Sequence, residues 1–300
     1  MTALLRPGAD AIELKGWWRA HQWLLLRRLV QLGILALFLS GPWFGVWIIK
    51  GNIASSLTLE VLPLSDPYLL TQSLFAGHWP ETTIVIGALI IAAFYFLVGG
   101  RVYCGWICLV NPITDLAAWL RQRLNIKDGA RLPRQSRYWL LAMTLITAGI
   151  SGSLLWELVN PVTILYRSLI FGMGMAGIVV VTLFLFDLLL APRGWCSHLC
   201  PMGAFYSLLA RYTPLRISAV KRESCNDCMD CYAVCPEPQV IPPALKGAVQ
   251  GIGPVITGIN CTNCARCIDV CSKDVFRFTT RFYKPTKTSS NTFKQSEVLS

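Results

Sequence analysis

Twelve cysteines fall into two kinds of spacing, with none left over. Two runs read C-x2-C-x2-C-x3-C: Cys225, Cys228, Cys231, Cys235, and then Cys261, Cys264, Cys267, Cys271. Two pairs read C-x3-C: Cys104 with Cys108, and Cys196 with Cys200. The run spacing is the one by which thiolates hold a pair of [4Fe-4S] cubanes. In that two-cluster arrangement the fourth cysteine of each run crosses to the other centre. One centre then takes Cys225, Cys228, Cys231 and Cys271, and the other takes Cys261, Cys264, Cys267 and Cys235. Zinc sites usually join two C-x2-C pairs across a longer gap, which neither run does. The runs differ in one respect: Cys235 is followed by Pro236, Cys271 by Ser272.

A spacing of four sets the two thiols of each C-x3-C pair on one helical face, about one turn apart. The flanks of the pairs repeat. Arg101 and Arg193 stand three residues before the first cysteine, and Tyr103 and Trp195 immediately before it. This reads as an internal repeat with an offset of 92 residues. Pro201 follows the second pair, Leu109 the first. If the elements carrying the pairs are neighbours, four thiols converge, able to bind a soft metal or a further cluster, or to cycle as dithiols. Two inert, unrelated pairs are the plain alternative.

What must position these groups is a membrane. Only 14% of residues are charged, 54% are hydrophobic, and the mean hydropathy is +0.51. A chain of this length cannot hide so much apolar surface in a soluble core. Charge-free stretches at 29–49, 82–100, 138–156 and 168–186 are each 19 to 21 residues long, against the roughly 20 needed to span the hydrocarbon layer. Lys and Arg number 5 in residues 1–28, 0 in 51–81, 7 in 101–137, 1 in 157–167 and 13 from Pro192 onward. That alternation puts both termini and the middle loop in the cytoplasm, so the net charge of +11 is mostly a topology signal and not a nucleic-acid footprint. No A-x-A-like cleavage site follows the first apolar run. The reducing side also suits cysteines as ligands better than as disulfides. The eleven tryptophans lie mostly near span ends, as interfacial anchors do. Gly41-Pro42 is expected to kink the first span, and Asn111-Pro112 and Asn160-Pro161 to mark turns. Both Asn-Pro pairs sit in a repeated Leu-Val-Asn-Pro-Ile/Val-Thr.

The resulting fold class is an α-helical membrane protein with four transmembrane helices, plus a small C-terminal α+β two-cluster ferredoxin-like domain. Residues 1–28 form a cytoplasmic N-terminal segment and 29–191 the four-helix membrane domain, with the second C-x3-C motif just beyond it at 196–200. Residues 192–283 form the cytoplasmic ferredoxin-like domain and 284–300 a flexible tail. The domain has too little apolar material to fold by packing alone, so ligation should supply much of its stability.

Four spans, two C-x3-C motifs at the inner face, the stretch Tyr103-Cys-Gly-Trp-Ile-Cys108 and the stretch Cys235-Pro-Glu-Pro-Gln239 together resemble the NapH family over roughly residues 25–280. NapH proteins are membrane-bound ferredoxin-type quinol dehydrogenase subunits of periplasmic nitrate reductase systems. The resemblance implies quinol oxidation in the bacterial inner membrane. Electrons would pass to a periplasmic NapG-like iron–sulfur partner and on to nitrate reductase. It also carries functional roles onto Cys104, Cys108, Cys196, Cys200 and the eight cluster ligands, with Leu109 departing from the family's proline. Two other readings stay open: a copper-reducing assembly factor of the CcoG type, whose members carry a further span and an extra C-terminal domain, and a redox-sensing membrane regulator.

Quinol oxidation also needs a proton acceptor. Asp187, near the inner end of the fourth stretch, is the candidate, since an acid within a span is functional by default. Pairing with Arg101 or Arg193 is its structural alternative. Glu157 reads as an interfacial carboxylate, His198 as a ligand, a proton carrier or a plain interfacial side chain, and His78 as surface. With His21, these three histidines offer no ladder for a transmembrane haem.

Overall fold

The computed structural model of the protein describes residues 7–58, 62–126, 129–130, 132–172 and 174–284. It is mostly helical. Helix α1 spans Ala9–Lys15 and α2 spans Trp17–Phe44. The 28-residue α2 is long and apolar enough to cross a membrane. It begins a dozen residues before the expected start at Leu29, because its first turns pack against the cysteine-rich module: Asp269 accepts the backbone N–H groups of Trp23 (3.2 Å) and Leu24 (2.9 Å). Pro42 lies in the last turn of α2, which ends two residues later at Phe44 and is closed by Gly45 at φ 73°.

The segment read as an outer loop folds into a three-stranded antiparallel sheet, β1 (Ile49–Gly51), β2 (Ser55–Thr58) and β3 (Leu62–Ser65). Helix α3 (Pro67–Phe75) follows, with Asp66 as N-cap accepting from the Tyr68 N–H at 2.8 Å. Helix α4 (Thr82–Val98) matches the second apolar stretch, and β3 lies directly on it. A Cβ at Gly87 would stand 2.4 Å from the carbonyl oxygen of Pro63, so only glycine allows the approach.

A π turn (Tyr103–Ile107) leads into α5 (Val110–Arg123), then come α6 (Ser136–Ser151), α7 (Leu155–Val159), α8 (Pro161–Phe171) and α9 (Met175–Leu185). Two more π turns, Phe186–Leu190 and Trp195–Leu199, precede α10 (Pro201–Leu209). The fourth apolar stretch is therefore divided. Helix α8 stops at Gly172 (φ 66°), and α9 is a separate helix packed against it.

Both Asn-Pro pairs start helices instead of marking turns. Asn160 caps α8, accepting from the Val162 N–H at 3.1 Å, and Pro161 takes the first helical position, where its missing N–H costs nothing. Pro112 lies in the first turn of α5, which tolerates it for the same reason.

After α10 the chain forms the small α+β module. Strands β4 (Leu215–Ala219) and β5 (Phe276–Thr280) pair antiparallel, from Leu215 opposite Thr280 to Ala219 opposite Phe276. They close the module around one-turn helices α11 (Asp230–Val234), α12 (Ile241–Lys246) and α13 (Arg266–Val270). Its core is Ile217, Ile241, Leu245, Ile256, Val275 and Phe276, with Cys231 and Cys267 among them. The N-terminal segment is laid on this module. Lys15 pairs with Asp274 at 2.5 Å, and the Gly8 N–H donates to Asp230 at 2.9 Å. Of the expected tail, residues 285–300 lie outside the described residues.

Candidate cysteine centres

The two cysteine runs share a backbone signature. Asp227 (φ 57°) and Met229 (φ 65°) in the first correspond to Asn263 (φ 46°) and Ala265 (φ 60°) in the second. Left-handed residues alternating with ordinary ones turn successive N–H groups to one side, which forms a concavity suited to anions. The single turns of α11 and α13 then carry the third cysteine of each run. The fourth follows in extended conformation, at φ −74° for Cys235 and −80° for Cys271.

Cys225, Cys228, Cys231 and Cys271 line one cavity. The thiols of Cys264, Cys235 and Cys261 act together on Cys267, which also feels Cys231 of the first group. The fourth cysteine of each run thus crosses to the other group. Among the described residues no three His, Cys, Asp or Glu side chains close around a point as ligands of a single ion do. Four thiols lining one cavity are the type of donor set that a four-iron cube takes. Burial pushes the thiols of Cys231 and Cys235 up to about 12 and Cys261 to about 11. Cys264 goes the other way: burial alone would raise it, but Arg266 and Arg27 outweigh burial and hold it below the usual thiol range. A cluster held by these thiols would have to displace protons from most of them, which would couple its loading to folding.

The C-x3-C pairs lie on π turns, not on an α-helical face as the spacing suggests. Tyr103–Ile107 and Trp195–Leu199 are each followed by the second cysteine in extended conformation, Cys108 at φ −60°, ψ 124° and Cys200 at φ −71°, ψ 112°. Leu109 stands at φ −69°, the value a proline would fix, so the first pair keeps the shape that Pro201 gives the second. The turns come together: the thiols of Cys108, Cys200 and Cys104 all act on Cys196, and burial pushes Cys200 up to about 12.

Each π turn also touches the backbone of the module. Trp106, inside the first pair, donates its indole N–H to the Asn263 carbonyl at 3.2 Å. Ser197, inside the second, donates to the Pro236 carbonyl at 3.1 Å. Asn263 lies between Cys261 and Cys264, and Pro236 follows Cys235, so both turns abut the same cysteine group. Gly105 sits against it too, where a Cβ would be 3.3 Å from the Cys264 Cβ.

A buried carboxylate, Glu237, and a half-buried one, Asp115, tie the module down, and sequence reasoning gave a role to neither. Glu237, 1% exposed, accepts from Arg101 at 2.8 Å and Arg137 at 2.7 Å, with Arg134 at 3.6 Å. Asp115 accepts from Arg28 at 2.6 Å and Arg266 at 2.7 Å, with Arg193 at 3.7 Å. Burial would raise both acids, but the guanidinium groups around them hold each below the usual carboxylate range. The repeated arginines, Arg101 and Arg193, each go to one of these carboxylates. The Cys-Pro-Glu-Pro-Gln stretch contained the signal for Glu237; Asp115 had none.

Asp187 is buried and pairs with neither Arg101 nor Arg193. Its Oδ1 accepts the Trp195 N–H at 3.0 Å, so it caps the second π turn, and its Oδ2 has no hydrogen-bond partner. Glu157 accepts from Thr163 at 2.7 Å and Asn160 at 3.3 Å, bracing the start of α8. The His198 ring Nδ1 is buried without a partner, and His78 joins its Nε2 to the Gly152 carbonyl at 3.0 Å.

A family model described as "4Fe-4S binding domain" matches residues 81–127 and 170–222, the two segments that hold the C-x3-C pairs. "Ferredoxin-type protein NapH" of Escherichia coli (strain K12) is 49% identical over 92% of this chain and 95% of its own length. The chain belongs to the NapH family. The Haemophilus influenzae NapH is likewise 49% identical, over 92% of this chain and 96% of its own length. "Methylamine utilization ferredoxin-type protein MauN" of Methylorubrum extorquens is 48% identical over 91% of this chain and 94% of its own length. No solved structure matches. This NapH-family chain is thus a ferredoxin-type iron–sulfur electron-transfer protein.

Proposed function

We propose that the protein oxidises quinol in the bacterial inner membrane and delivers the electrons to a NapG-like iron–sulfur partner, on the path to periplasmic nitrate reductase. Four spans, with both termini cytoplasmic, would carry the two C-x3-C turns at the inner face. The ferredoxin module, residues 192–283, would sit beneath them. Cys225, Cys228, Cys231 and Cys271 would hold one [4Fe-4S] cluster, and Cys261, Cys264, Cys267 and Cys235 the other. Clusters bound there would supply one-electron acceptor and donor chemistry. The observation that carries the reading is the docking of both C-x3-C turns, through Trp106 and Ser197, on the backbone of one cysteine group.

In this reading quinol gives up two electrons and two O–H protons and leaves as quinone. Cys104, Cys108, Cys196 and Cys200 form the quartet nearest the reacting site and are able to hold a further metal or cluster. Asp187, with one carboxylate oxygen free, accepts a proton. The arginines on Glu237 and Asp115 fix the spacing between quartet and module. The MauN-type relatives are as similar as the NapH ones. The terminal acceptor is therefore the part of the reading that the partner subunit decides, and the redox core is common to both.

The test is anaerobic purification with iron and acid-labile sulfide counted, EPR of the reduced protein, and addition of a quinol analogue. About eight iron per chain fits two cubanes, and about twelve brings in the quartet. Reduction of the centres by the quinol analogue is expected, and its loss in Cys104→Ser and Cys196→Ser. Iron-containing protein that the analogue cannot reduce would refute the dehydrogenase reading.

A further inference from the structure

Where α1, α2 and α5 meet the ferredoxin module lies a cavity of about 760 Å³, within the range of small-ligand sites. Its wall carries five guanidinium groups, Arg27, Arg28, Arg123, Arg193 and Arg266, against two carboxylates, Asp115 and Asp269. Asp269 is engaged by two backbone N–H groups of α2, and Oδ2 of Asp115 is shared by Arg28 and Arg266, while its Oδ1 has no hydrogen bond and stands 3.7 Å from Arg193.

Three donors are left over. Nη1 of Arg27, of Arg193 and of Arg266 is buried with no hydrogen-bond partner, sulfur included. Arg27 is 2% exposed and Arg266 6%. Burying a guanidinium N–H without an acceptor is costly, and these three stand behind a wall that carries five cationic side chains against two anionic ones, an excess that favours an anion. Charge compensation of the nearby Cys264 accounts for some of the positive potential but leaves these donors unbonded. We propose that the cavity binds a phosphate group, presented by an anionic phospholipid headgroup or by phosphate in solution. Phosphate oxygens match the planar, forked guanidinium donors, which bind them in pairs. Leu116 and Trp119 on the same wall are 55% and 52% exposed, an apolar flank suited to an acyl chain. The site is separate from the quinol reading and stands or falls without it.

The test uses the full, iron-loaded chain in neutral detergent. Inorganic phosphate is titrated by calorimetry, and lipid retained after delipidation is identified by mass spectrometry from nanodiscs of phosphatidylcholine with or without phosphatidylglycerol. Binding of phosphate alone assigns a soluble anion, whereas retention of phosphatidylglycerol without phosphate binding assigns a headgroup. Arg27→Gln, which breaks no ion pair, is expected to weaken whichever ligand binds by about tenfold. Leu116→Glu, at a half-exposed position that can tolerate it, adds a carboxylate to the wall and is expected to abolish binding with iron content unchanged. If neither phosphate nor phosphatidylglycerol binds, or if both variants bind as the wild type does, the proposal is wrong.

Discussion

Replacing Glu237 by glutamine keeps the shape of the side chain and removes only its charge. Arg101 and Arg137 share that carboxylate, and their side chains are 1% and 0% exposed, so neither can turn to water. Breaking a buried ion pair by removing one partner costs about 3–5 kcal/mol, because the remaining charge is uncompensated. Arg101 retains the Asn260 carbonyl at 2.9 Å and the Cys196 carbonyl at 3.3 Å, which favours the lower end of that range. Arg134, 43% exposed and 3.6 Å away, adds little.

A loss of about 3 kcal/mol in a protein of this size corresponds to a thermal midpoint lower by about 6–12 °C. The midpoint is read by circular dichroism on iron-loaded protein in detergent. The acid side offers a second readout. The Glu237 carboxyl is held below its ordinary value in the folded state, so its contribution is in place above the unfolded pKa of about 4.3 and is lost as pH falls through the lower folded value. Wild type should therefore lose more stability below about pH 4.3 than Glu237→Gln does. A midpoint within about 2 °C of wild type, with parallel acid profiles, would mean that the buried pairing contributes no net stability and the reasoning fails.

Gly100→Ala should be the most damaging small substitution in the bundle, at about 1–3 kcal/mol or more, because its Cβ would stand 2.0 Å from the Tyr206 carbonyl oxygen. Gly105→Ala, facing Cys264 at 3.3 Å, should cost less than about 1 kcal/mol by the same thermal scan. Met229 is 56% exposed and left-handed, so Met229→Gly should relieve about 1 kcal/mol of backbone strain without losing packing, raising the midpoint. Asp66→Ala removes both the cap of α3 and the acceptor of the Tyr206 hydroxyl at 3.0 Å. It should lower stability by about 2 kcal/mol, whereas Asp66→Asn should recover part of the loss.

The sequence disclosed most where chemistry depends on local spacing. Thiolate spacing within a run is set by a few backbone angles, and the matching strings of the two runs reappear as one shared alternation of left-handed residues. The 92-residue offset of the C-x3-C pairs reappears as two π turns at the same offset. Other features depend on partners far away in the chain, and these were hidden. Hydropathy does not separate a span from a helical hairpin of the same composition, so the break between α8 and α9 at Gly172 was missed. The length of α2 was also missed, because the backbone N–H groups of Trp23 and Leu24, before Leu29, find their partner about 245 positions later, at Asp269. The repeated Asn-Pro was legible only as a turn. Asn111 in fact lies within 3.3–3.5 Å of donors on Arg266, Gln31 and Arg28, and Asn160 caps α8.

The repeat and the module explain one another. Duplicating a helix–Arg–Cys-x3-Cys–helix unit yields two arginines and two turns, but the module they meet is itself a tandem of two cysteine runs. Arg101 reaches Glu237, two residues past the last cysteine of the first run. Arg193 reaches Asp115, the carboxylate that also holds Arg266 inside the second run. Each copy of the bundle repeat is thus connected to a different run, directly or through one shared acid. Because the fourth cysteine of each run crosses over, both connections converge on the group of Cys235, Cys261, Cys264 and Cys267. In the proposed reading electrons would pass between that group and the quartet, and because transfer falls off steeply with distance a contact fixed from two sides would hold that spacing constant. A single clamp would leave a hinge, and this convergence accounts for one buried and one half-buried acid–arginine cluster at an interface where apolar packing would cost less.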